Sequence, residues 1–393
     1  MISQRYLKKW LGVPSRGCTN LSIFHPYLLA IKPVSQIYLQ GHVGNYINST
    51  LKADPDVKLA IQSSIYREAQ WKKKSSTVVK CKEILEELAM TEHIPTVDNC
   101  PNVACSTLVE VPKLKKAANE LISNSYLDYW NEVAKSLVVQ GDFLRLLAEE
   151  EQHMTWQSFK YSLPKGVLGW AARAATQSLA TPDNLFRWGK RVDSSCKLCK
   201  SPKCTLQHIT NFCPVALQGK RYDYRHDSIL NYMSKHIKAT ETMEVYFDLE
   251  GMKTNGSTIP ADIITTLSRP DLVIIDRAST PTEVLLYELT VPYESAANTQ
   301  NAHTRKNERY ASLVDDIKDR GFKCSHVAFE IGSKGYIDNR NKLALGGLLR
   351  RVKSKTKFAR FYKDISKISL LCSFAIYCAR NEPEWTTPRF LQP

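Results

Sequence analysis

The sequence predicts an α+β protein of several domains: a helical N-terminal half, a small cysteine- and histidine-rich segment, and an α/β domain in the C-terminal half. Helical apolar spacing dominates up to about residue 190, and four cysteine or histidine residues with close spacing follow between positions 196 and 213. Beyond residue 213, strand-like runs alternate with helical ones. A chain of 393 residues is long enough to give more than one such region a core of its own.

The N-terminal half divides into a helical region at residues 1–125 and a helical linker at residues 126–192. Helical spacing is visible at residues 64–71, 81–88 and 114–154. A further helix is predicted to begin at Thr181, because its hydroxyl can cap a helix whose first residue is Pro182 and whose first turn contains Asp183.

The charge balance predicts a polyanionic partner. The chain carries 54 lysines and arginines against 39 acidic residues, a formal net charge of +15, and no lipid-anchoring signal, which favours nucleic acid over a membrane. The longest apolar stretch, residues 368–379, is too short to span a bilayer and predicts a buried helix. Because no apolar leader follows Met1 and the eleven cysteines are odd in number, we expect an intracellular, reducing location, namely the nucleus.

Four residues, Cys196, Cys199, His208 and Cys213, have the spacing of a small zinc site. A tight Cys-x2-Cys turn offers two thiolates, and a short loop returns an imidazole and a third thiolate, which completes a tetrahedral shell. The segment, residues 193–215, has too little core to fold alone, so zinc would stabilise it. The site is predicted to be structural, because four protein ligands leave no position for water, and Cys204 is interpreted as a bystander. The alternative is chance spacing of buried free thiols.

The C-terminal half, residues 216–350, predicts a mixed sheet with flanking helices. A helix at about residues 222–238 precedes three strands at 243–249, 270–276 and 283–291. Then follow a helix at about residues 298–320, a strand at 323–331 and a helix at about 339–351. The order of the elements is therefore α-β-β-β-α-β-α.

Two acids on neighbouring predicted strands, Asp271 and Glu288, are candidates for catalysis. Such a pair can share Mg²⁺ or Mn²⁺ with a scissile phosphate, and this is the arrangement of PD-(D/E)xK nucleases, whose α-β-β-β-α-β order the predicted elements match. The lysine expected two residues after Glu288 is replaced by Thr290. Lys306 lies on the same helical stripe as Tyr310 and could supply the missing lysine, to hold the attacking water or neutralise the phosphate. The alternative is a pair of strand-end acids that face solvent.

Several other residues are weaker candidates. Arg225 and His226 are candidates for nucleic-acid contact and Asp227 for an auxiliary acid, although all three could be ordinary capping and surface residues. Two basic stretches carry interleaved or adjacent aromatic residues, as nucleic-acid-binding segments do. Their candidate residues are Lys72, Lys73, Lys74, Arg350, Arg351, Lys353, Lys355 and Lys357. The alternative for both stretches is a solvated helix face. In the second stretch the aromatic side chains would then pack inward. This second stretch begins a basic and aromatic tail at residues 351–393.

Taken together, these stretches resemble the C-terminal part of non-LTR retrotransposon polyproteins that carry a restriction-enzyme-like endonuclease, the type that inserts site-specifically into rDNA. The segment Lys9-Trp10-Leu11-Gly12-Val13-Pro14 resembles the start of the thumb that follows the reverse-transcriptase palm. Further matching segments follow in the family's order. They are Leu163-Pro164-Lys165-Gly166, Thr181-Pro182-Asp183-Asn184-Leu185, Trp188-Gly189-Lys190, the zinc cluster, Arg225-His226-Asp227, Arg269-Pro270-Asp271, Glu288 and Gly332-Ser333-Lys334-Gly335-Tyr336.

The resemblance implies a thumb-like segment at residues 1–125 and an endonuclease that nicks target DNA so that the freed 3′ end primes reverse transcription. The implied partners are target DNA and, as a further candidate, the RNA of the element. The family's polymerase has a paired-aspartate loop upstream of the thumb, whereas the one Asp-Asp pair here, Asp315-Asp316, lies in a charged helical segment without the preceding aromatic residue. We therefore expect no polymerisation by this chain and a polymerase domain supplied from outside it.

Two alternatives from other functional classes remain at this point. One is a catalytically silent, zinc-stabilised protein that binds DNA or element RNA. The other is a zinc-stapled scaffold for protein interaction, which would leave the net charge of +15 without a role. A basic side chain that reaches the cleft between Asp271 and Glu288 would favour the nuclease over the silent protein.

Overall fold

The computed structural model describes residues 2–13, 19–51, 54–57, 59–60, 63, 110–149, 153–249 and 259–388. The described residues form two compact units: those within 23–26 and 30–136 belong to one, and those within 2–22, 27–29 and 137–388 belong to the other. The helices predicted at residues 64–71 and 81–88 lie outside the described residues. In the described part of the chain, no helix is both long enough and apolar enough to cross a membrane.

The first unit is built on two long helices, α3 (Val34–Leu51) and α4 (Glu110–Ser136), which pack against each other. The side-chain amide of Gln40 on α3 donates hydrogen bonds to the backbone oxygen of Asn119 at 3.3 Å and to Oγ of Ser123 at 3.2 Å. Both acceptors lie on α4, so these bonds fix how the two helices are aligned. The helical character predicted for the region from residue 114 onwards is confirmed.

The second unit contains most of the remaining helices. These are α1 (Ile2–Leu11), α5 (Asp142–Glu149), α6 (His153–Ser162), α7 (Lys165–Ala175), α8 (Pro182–Arg187), α9 (Pro214–Gln218), α10 (Arg221–His236), α11 (Ala296–Asp319), α12 (Asn339–Arg351) and α13 (Phe358–Cys378), while α2 (Leu21–Phe24) includes residues of both units. Helix α8 begins as predicted: Oγ1 of Thr181 accepts a hydrogen bond from the backbone N–H of Asn184 at 3.2 Å, and Pro182 is the first helical residue.

The second unit contains a four-stranded sheet in the order β1-β2-β3-β4. Its strands are β1 (Met243–Phe247), β2 (Leu272–Asp276), β3 (Glu283–Thr290) and β4 (Lys323–Glu330). The first three strands are antiparallel, whereas β4 runs parallel to β3. A parallel neighbour requires a crossover connection, and α11 provides it. The predicted order of helices and strands, and a mixed sheet with flanking helices, are confirmed.

The sheet buries both of its faces against helices. On one face, alternate residues such as Ile274 and Leu285 join a core formed with α10, α12 and α13. On the other face, Ile275 and Leu286 pack with Leu313 of α11. Because side chains alternate along a strand, the near-continuous apolar runs of β2 and β3 are what a sheet covered on both faces requires.

Helix α13 is part of this core, whereas the sequence predicts a separate tail at residues 351–393. Phe361 and Ile365 on α13 are fully buried in the core that covers the first face of the sheet. The buried guanidinium of Arg221 on α10 donates to the backbone oxygens of Ala379 at 2.7 Å and Glu382 at 2.6 Å. The buried helix predicted at residues 368–379 is confirmed as the C-terminal half of α13.

Candidate functional site

Three thiols and one imidazole converge in the segment that follows α8. The backbone N–H of Cys196 donates to the oxygen of Ser201 at 2.9 Å, and this bond closes the loop that carries Cys199. His208 begins a single π-helical turn (His208–Phe212), and Cys213 directly precedes α9. The ligand atoms of all four predicted residues lie within 4.8 Å of one another.

The spacing within this cluster fits tetrahedral zinc. The Sγ atom of Cys199 lies 3.3 Å from Nε2 of His208. Bonds of about 2.3 Å to sulfur and about 2.0 Å to nitrogen would separate these two ligand atoms by about 3.5 Å in a tetrahedral shell. Small shifts of side chains therefore suffice to place a zinc ion among the four residues.

The protonation chemistry of the cluster also suits a metal. Burial lowers the pKa of His208, which keeps the imidazole neutral and able to donate a lone pair. Burial raises the pKa of Cys213 to about 11. Burial acts in the same direction on Cys196, but hydrogen bonds from the backbone N–H groups of Cys199 and Leu198 and from the thiols of Cys199 and Cys204 together outweigh it, so that its pKa is lowered. Three thiols held this close become thiolates together only when a cation neutralises them.

Cys204 is buried beside the cluster but does not belong to the converging set. Its backbone N–H donates to the oxygen of Ser194 at 2.9 Å, and its own oxygen accepts from Asp183 at 3.2 Å. Burial raises the pKa of its thiol, so the group stays protonated. This geometry agrees with the interpretation of Cys204 as a bystander.

The two predicted acids, Asp271 and Glu288, lie next to each other at one end of the β2–β3 pair. One carboxylate oxygen of Glu288 accepts a hydrogen bond from the backbone N–H of Asp271 at 3.1 Å. In return, Oδ2 of Asp271 accepts from the backbone N–H of Leu289 at 2.7 Å. Asp271 is 8% exposed and Glu288 only 3% exposed. The alternative of strand-end acids that face solvent is therefore wrong.

Lys306 reaches this carboxylate pair from α11. Its Nζ donates a hydrogen bond to Oε1 of Glu288, and the lysine side chain is mostly buried. One turn further along α11, the hydroxyl of Tyr310 donates to the backbone oxygen of Arg269 at 3.1 Å. The stripe predicted to pack against the sheet does so, because Tyr310, Leu313 and Ile317 are buried.

His226 approaches the same pair from α10. Its Nε2 lies 3.1 Å from Oδ2 of Asp271, and its Nδ1 lies 3.0 Å from Oδ1 of Asp227. Burial lowers the pKa of His226, but hydrogen bonds to Asp227 and Asp271 outweigh it and raise the pKa to about 10. The ring is therefore an imidazolium at neutral pH that links Asp227 to Asp271.

The electrostatics of Glu288 favour an additional positive charge beside the carboxylate pair. Burial raises the pKa of Glu288, and the charge of Asp271 raises it further, against the opposing effect of Lys306. Two buried carboxylates that repel each other fit a divalent cation with a preference for oxygen ligands. Within the described residues, however, only the cysteine–histidine cluster brings three or more potential metal ligands together.

Arg225 does not lie at the surface, as contact with nucleic acid would require. It is 2% exposed, and its guanidinium donates to Oγ of Ser373 at 2.9 Å and to the backbone oxygen of Val291 at 3.3 Å. These bonds tie α10 to α13 and to the end of β3. The expectation of a surface role for Arg225 is thus replaced by one in the core.

The two basic stretches have different outcomes. Lys72, Lys73 and Lys74 lie outside the described residues. In the second stretch Phe361 and Tyr362 pack inward, as the alternative interpretation held, and Arg351 forms an ion pair with Glu283. Four further basic residues remain exposed, so their contact with nucleic acid stays a prediction. These are Arg350, Lys353, Lys355 and Lys357.

Sequence reasoning missed a second buried acid beside α11. Glu330, at the end of β4, accepts a hydrogen bond from Nη2 of Arg340 at 2.9 Å and lies 3.1 Å from Nδ1 of His303. His303 is three residues before Lys306 and so shares its helical face. The spacing of His303 and Lys306 predicts that they share one face of the helix. It does not predict that Glu330, at the end of β4, lies opposite His303.

One comparison with known proteins bears on the zinc cluster. A family model described as zinc-binding in reverse transcriptase matches residues 145–219. The match includes all four converging ligands and ends before Asp271 and Glu288. No curated protein is detectably similar to the chain. The match and the geometry together support a zinc-binding region of the reverse-transcriptase-related type, with Cys196, Cys199, His208 and Cys213 as the candidate ligands.

Proposed function

We propose that this chain is a metal-dependent DNA endonuclease of the restriction-enzyme-like type, joined to the zinc region of a retroelement reverse-transcriptase polyprotein. The observation that carries the proposal is the contact between Lys306 and Glu288 beside Asp271. A buried lysine beside two buried acids from adjacent strand segments is the set of groups that phosphodiester hydrolysis needs. Without the lysine, the same acids would support only metal binding.

The topology supports the same proposal. The order α10-β1-β2-β3-α11-β4, with three antiparallel strands and a parallel fourth, is that of the PD-(D/E)xK core. The usual lysine position on β3 holds Thr290, and Lys306 reaches the site from α11 instead. A lysine on the crossover helix can reach the site because α11 packs on the face of the sheet to which Glu288 points.

Each residue of the site then has a defined task. Asp271 and Glu288 would hold Mg²⁺ or Mn²⁺, which polarises the phosphodiester and lowers the pKa of a water molecule when bound. Lys306, released from Glu288, would hold the attacking water or neutralise the charge that develops on the phosphate. Asp227 acts through His226 as a positioning acid, because its carboxylate touches the imidazolium and not Asp271.

The zinc region gives this activity its context. In the retroelement family that the sequence resembles, the nick frees a 3′ end that primes reverse transcription. The substrate proposed here is therefore target DNA in the nucleus, with the RNA of the element as a further partner and polymerisation carried out by a domain outside this chain. The net charge of +15 fits polyanionic partners of this kind.

Nicking of supercoiled plasmid by the purified, zinc-loaded chain tests the proposal. We expect conversion to open circles with Mg²⁺ or Mn²⁺, none with EDTA, and none with Asp271→Ala. The matched control is Asp319→Ala, which removes an exposed acid at the end of α11 and should nick as the wild type does. Zinc content and melting temperature measured on each variant separate a lost reaction from a lost fold.

Retained nicking in Asp271→Ala would overturn the site assignment. One observation favours the alternative of a silent nucleic-acid-binding protein: Lys306 and His226 already neutralise the carboxylates that a divalent cation would have to bind. That alternative predicts DNA binding in a gel-shift assay, full zinc content and no nicking with either metal. The plasmid assay and the gel shift thus assign the chain to one of the two functions.

A further inference from the structure

Two side chains of α11, one turn apart, each contact a buried acid of the sheet. Lys306 binds Glu288 on β3, and Nδ1 of His303 lies 3.1 Å from Oε1 of Glu330 on β4. The proposed hydrolysis gives a task to Lys306 and Glu288 but none to His303 and Glu330. A role for this second pair in the reaction therefore rests on the proposed function.

The strand register places both acids on the face of the sheet that α11 covers. Glu288 pairs with Ala328 of the parallel strand β4, and Glu330 is two residues further along. Since side chains alternate along a strand, Glu330 points to the same face as Glu288. Neighbouring strands lie about 4.8 Å apart, and Cβ atoms three residues apart on a helix lie about 5–6 Å apart. His303 therefore stands beside Lys306 at the edge of the carboxylate site.

Glu330 holds the ring of His303 by one nitrogen and leaves the other open. The carboxylate is 1% exposed, and its second oxygen accepts a hydrogen bond from Nη2 of Arg340 at 2.9 Å. The backbone N–H of Glu330 donates to Oδ1 of Asn341 at 2.9 Å, so α12 fixes the acid at two points. Among the described residues, Nε2 of His303 has no hydrogen-bond partner, and the side chain is 22% exposed. An imidazole that donates from Nδ1 to a carboxylate carries its lone pair on Nε2.

The two other histidines near the site are unsuited to take up a proton. Both ring nitrogens of His226 contact carboxylates, so its imidazolium offers no lone pair. His326 is stacked on Tyr310, with 5.1 Å between the ring centroids. Burial lowers its pKa to about 4, and the charges of His303 and Lys306 act in the same direction, which makes it a weak base. This joint effect on one ring agrees with the common position of His303 and Lys306.

Space for solvent lies directly beside the second pair. A cavity of about 270 Å³ has Gln300, one turn before His303 on α11, and Arg340 among its lining residues. A water molecule occupies about 30 Å³ in the liquid, so the cavity has room for several of them. Solvent can therefore carry protons to and from this end of the site.

We infer that His303 is the general base of the proposed hydrolysis and that Glu330 orients its ring. Nε2 of His303 takes a proton from the water that Lys306 holds, and the oxygen of this water forms a bond to phosphorus. The bond between phosphorus and the 3′ oxygen breaks, and the 3′ oxygen takes a proton from solvent. His303 then releases its proton to solvent, so that protons balance over one turnover. General-base catalysis contributes about 10²- to 10⁴-fold to such a step.

Single-turnover nicking of supercoiled plasmid with Mg²⁺, with and without added imidazole, tests this inference. We expect His303→Ala to nick about 10²-fold or more slowly than the wild type. Imidazole should restore part of the rate, because it fits the space left beside Glu330. Pyrazole, a ring of the same shape but a far weaker base, should not. The matched control is His236→Ala at the last residue of α10, which should nick as the wild type does and not respond to imidazole.

His303→Asn keeps the test valid if His303→Ala does not fold. The asparagine amide can still donate a hydrogen bond to Glu330, but it is no base, so we expect slow nicking with the fold retained. Glu330→Gln keeps the size of the acid and removes the charge that fixes the tautomer of the ring. It should slow nicking about tenfold or more, and imidazole should not help, because the ring of His303 still fills its place. Zinc content and melting temperature confirm the fold of each variant.

The outcomes separate this inference from the proposed function. Absence of nicking by the wild type would overturn both. Nicking by the wild type and unchanged nicking by His303→Ala or Glu330→Gln would overturn the inference alone. The same holds for a loss in His303→Ala that His303→Asn reverses, that imidazole fails to reverse, or that pyrazole reverses equally well, because a structural role would then account for the loss.

Discussion

The zinc cluster and the carboxylate pair are both buried groups of potential metal ligands, but they differ in how their charge is compensated. Around the thiols of Cys196 and Cys213, the groups that shift the pKa values most are burial, backbone N–H groups and the neighbouring thiols. In contrast, Lys306 binds Glu288, and the imidazolium of His226 contacts Asp271. The first cluster therefore depends on a metal to be assembled, whereas the second is assembled by the protein's own cations. In the proposed function, the second cluster would have to exchange those cations for a metal.

Removal of zinc should have the largest effect. Structural zinc contributes about 10–16 kcal/mol of apparent binding free energy in small zinc domains, so chelation should unfold the segment from Cys196 to Cys213. Hydrogen exchange followed by mass spectrometry should show loss of protection there and retained protection in β2 and β3. Equal loss of protection in the sheet would contradict the distinction between the two clusters.

Alkaline pH should weaken the carboxylate cluster, because it removes the charge of His226. The pKa of His226 is raised from its ordinary 6.5 to about 10, so its contribution to stability is complete below pH 6.5 and is lost as the pH rises through 10. The maximum loss is about 5 kcal/mol.

Denaturant unfolding of the wild type and His226→Gln between pH 6.5 and 10 measures this contribution. The difference in unfolding free energy between the two proteins should shrink as the pH rises. A difference that stays constant over this range would show that the charge of His226 does not stabilise the site.

Loss of Lys306 should separate catalysis from folding. Lys306→Met keeps the length of the side chain and removes its charge, so the nicking rate should fall about 10²- to 10³-fold, as for the loss of one transition-state donor. Lys318→Met, at an exposed position in the last turn of α11, should leave the rate unchanged. A similar fall in both variants would indicate a general effect of charge on DNA binding.

The smallest effect is expected at Cys204. Cys204→Ala should retain one zinc per chain and lose about 1 kcal/mol of stability, because it removes one buried sulfur that ligates nothing. Cys324→Ala, at another buried cysteine, is the matched control. Loss of zinc from Cys204→Ala would make Cys204 a ligand and contradict its place outside the cluster.

The two clusters also differ in what the sequence could reveal. The zinc ligands lie within one short segment, where spacing alone limits the geometry, and the four predicted residues are those that converge. The carboxylate site draws on α10, β3, α11 and the residue before β2. Strand order and helical periodicity made Asp271, Glu288 and Lys306 candidates, because both patterns determine which side chains share a face in the folded protein.

Other features could not be predicted, because they depend on contacts between segments distant in the chain. The burial of Arg225 could not be predicted, because its hydrogen-bond partners, Val291 and Ser373, lie far along the sequence. The apolar stretch at residues 368–379 predicts a buried helix, but nothing local indicates that this helix covers the sheet, so the sequence predicts a separate tail at residues 351–393. The contact of His226 with Asp271 likewise depends on how α10 packs.

The central claim is that the carboxylate pair is a second cation site, independent of zinc. Electron paramagnetic resonance of Mn²⁺ titrated into the zinc-loaded chain measures it directly. We expect the wild type and Asp319→Asn to bind one Mn²⁺ in addition to zinc, and Asp271→Asn to lose that Mn²⁺ while it keeps its zinc. Absence of the additional Mn²⁺ from the wild type, or its retention by Asp271→Asn, would contradict the claim.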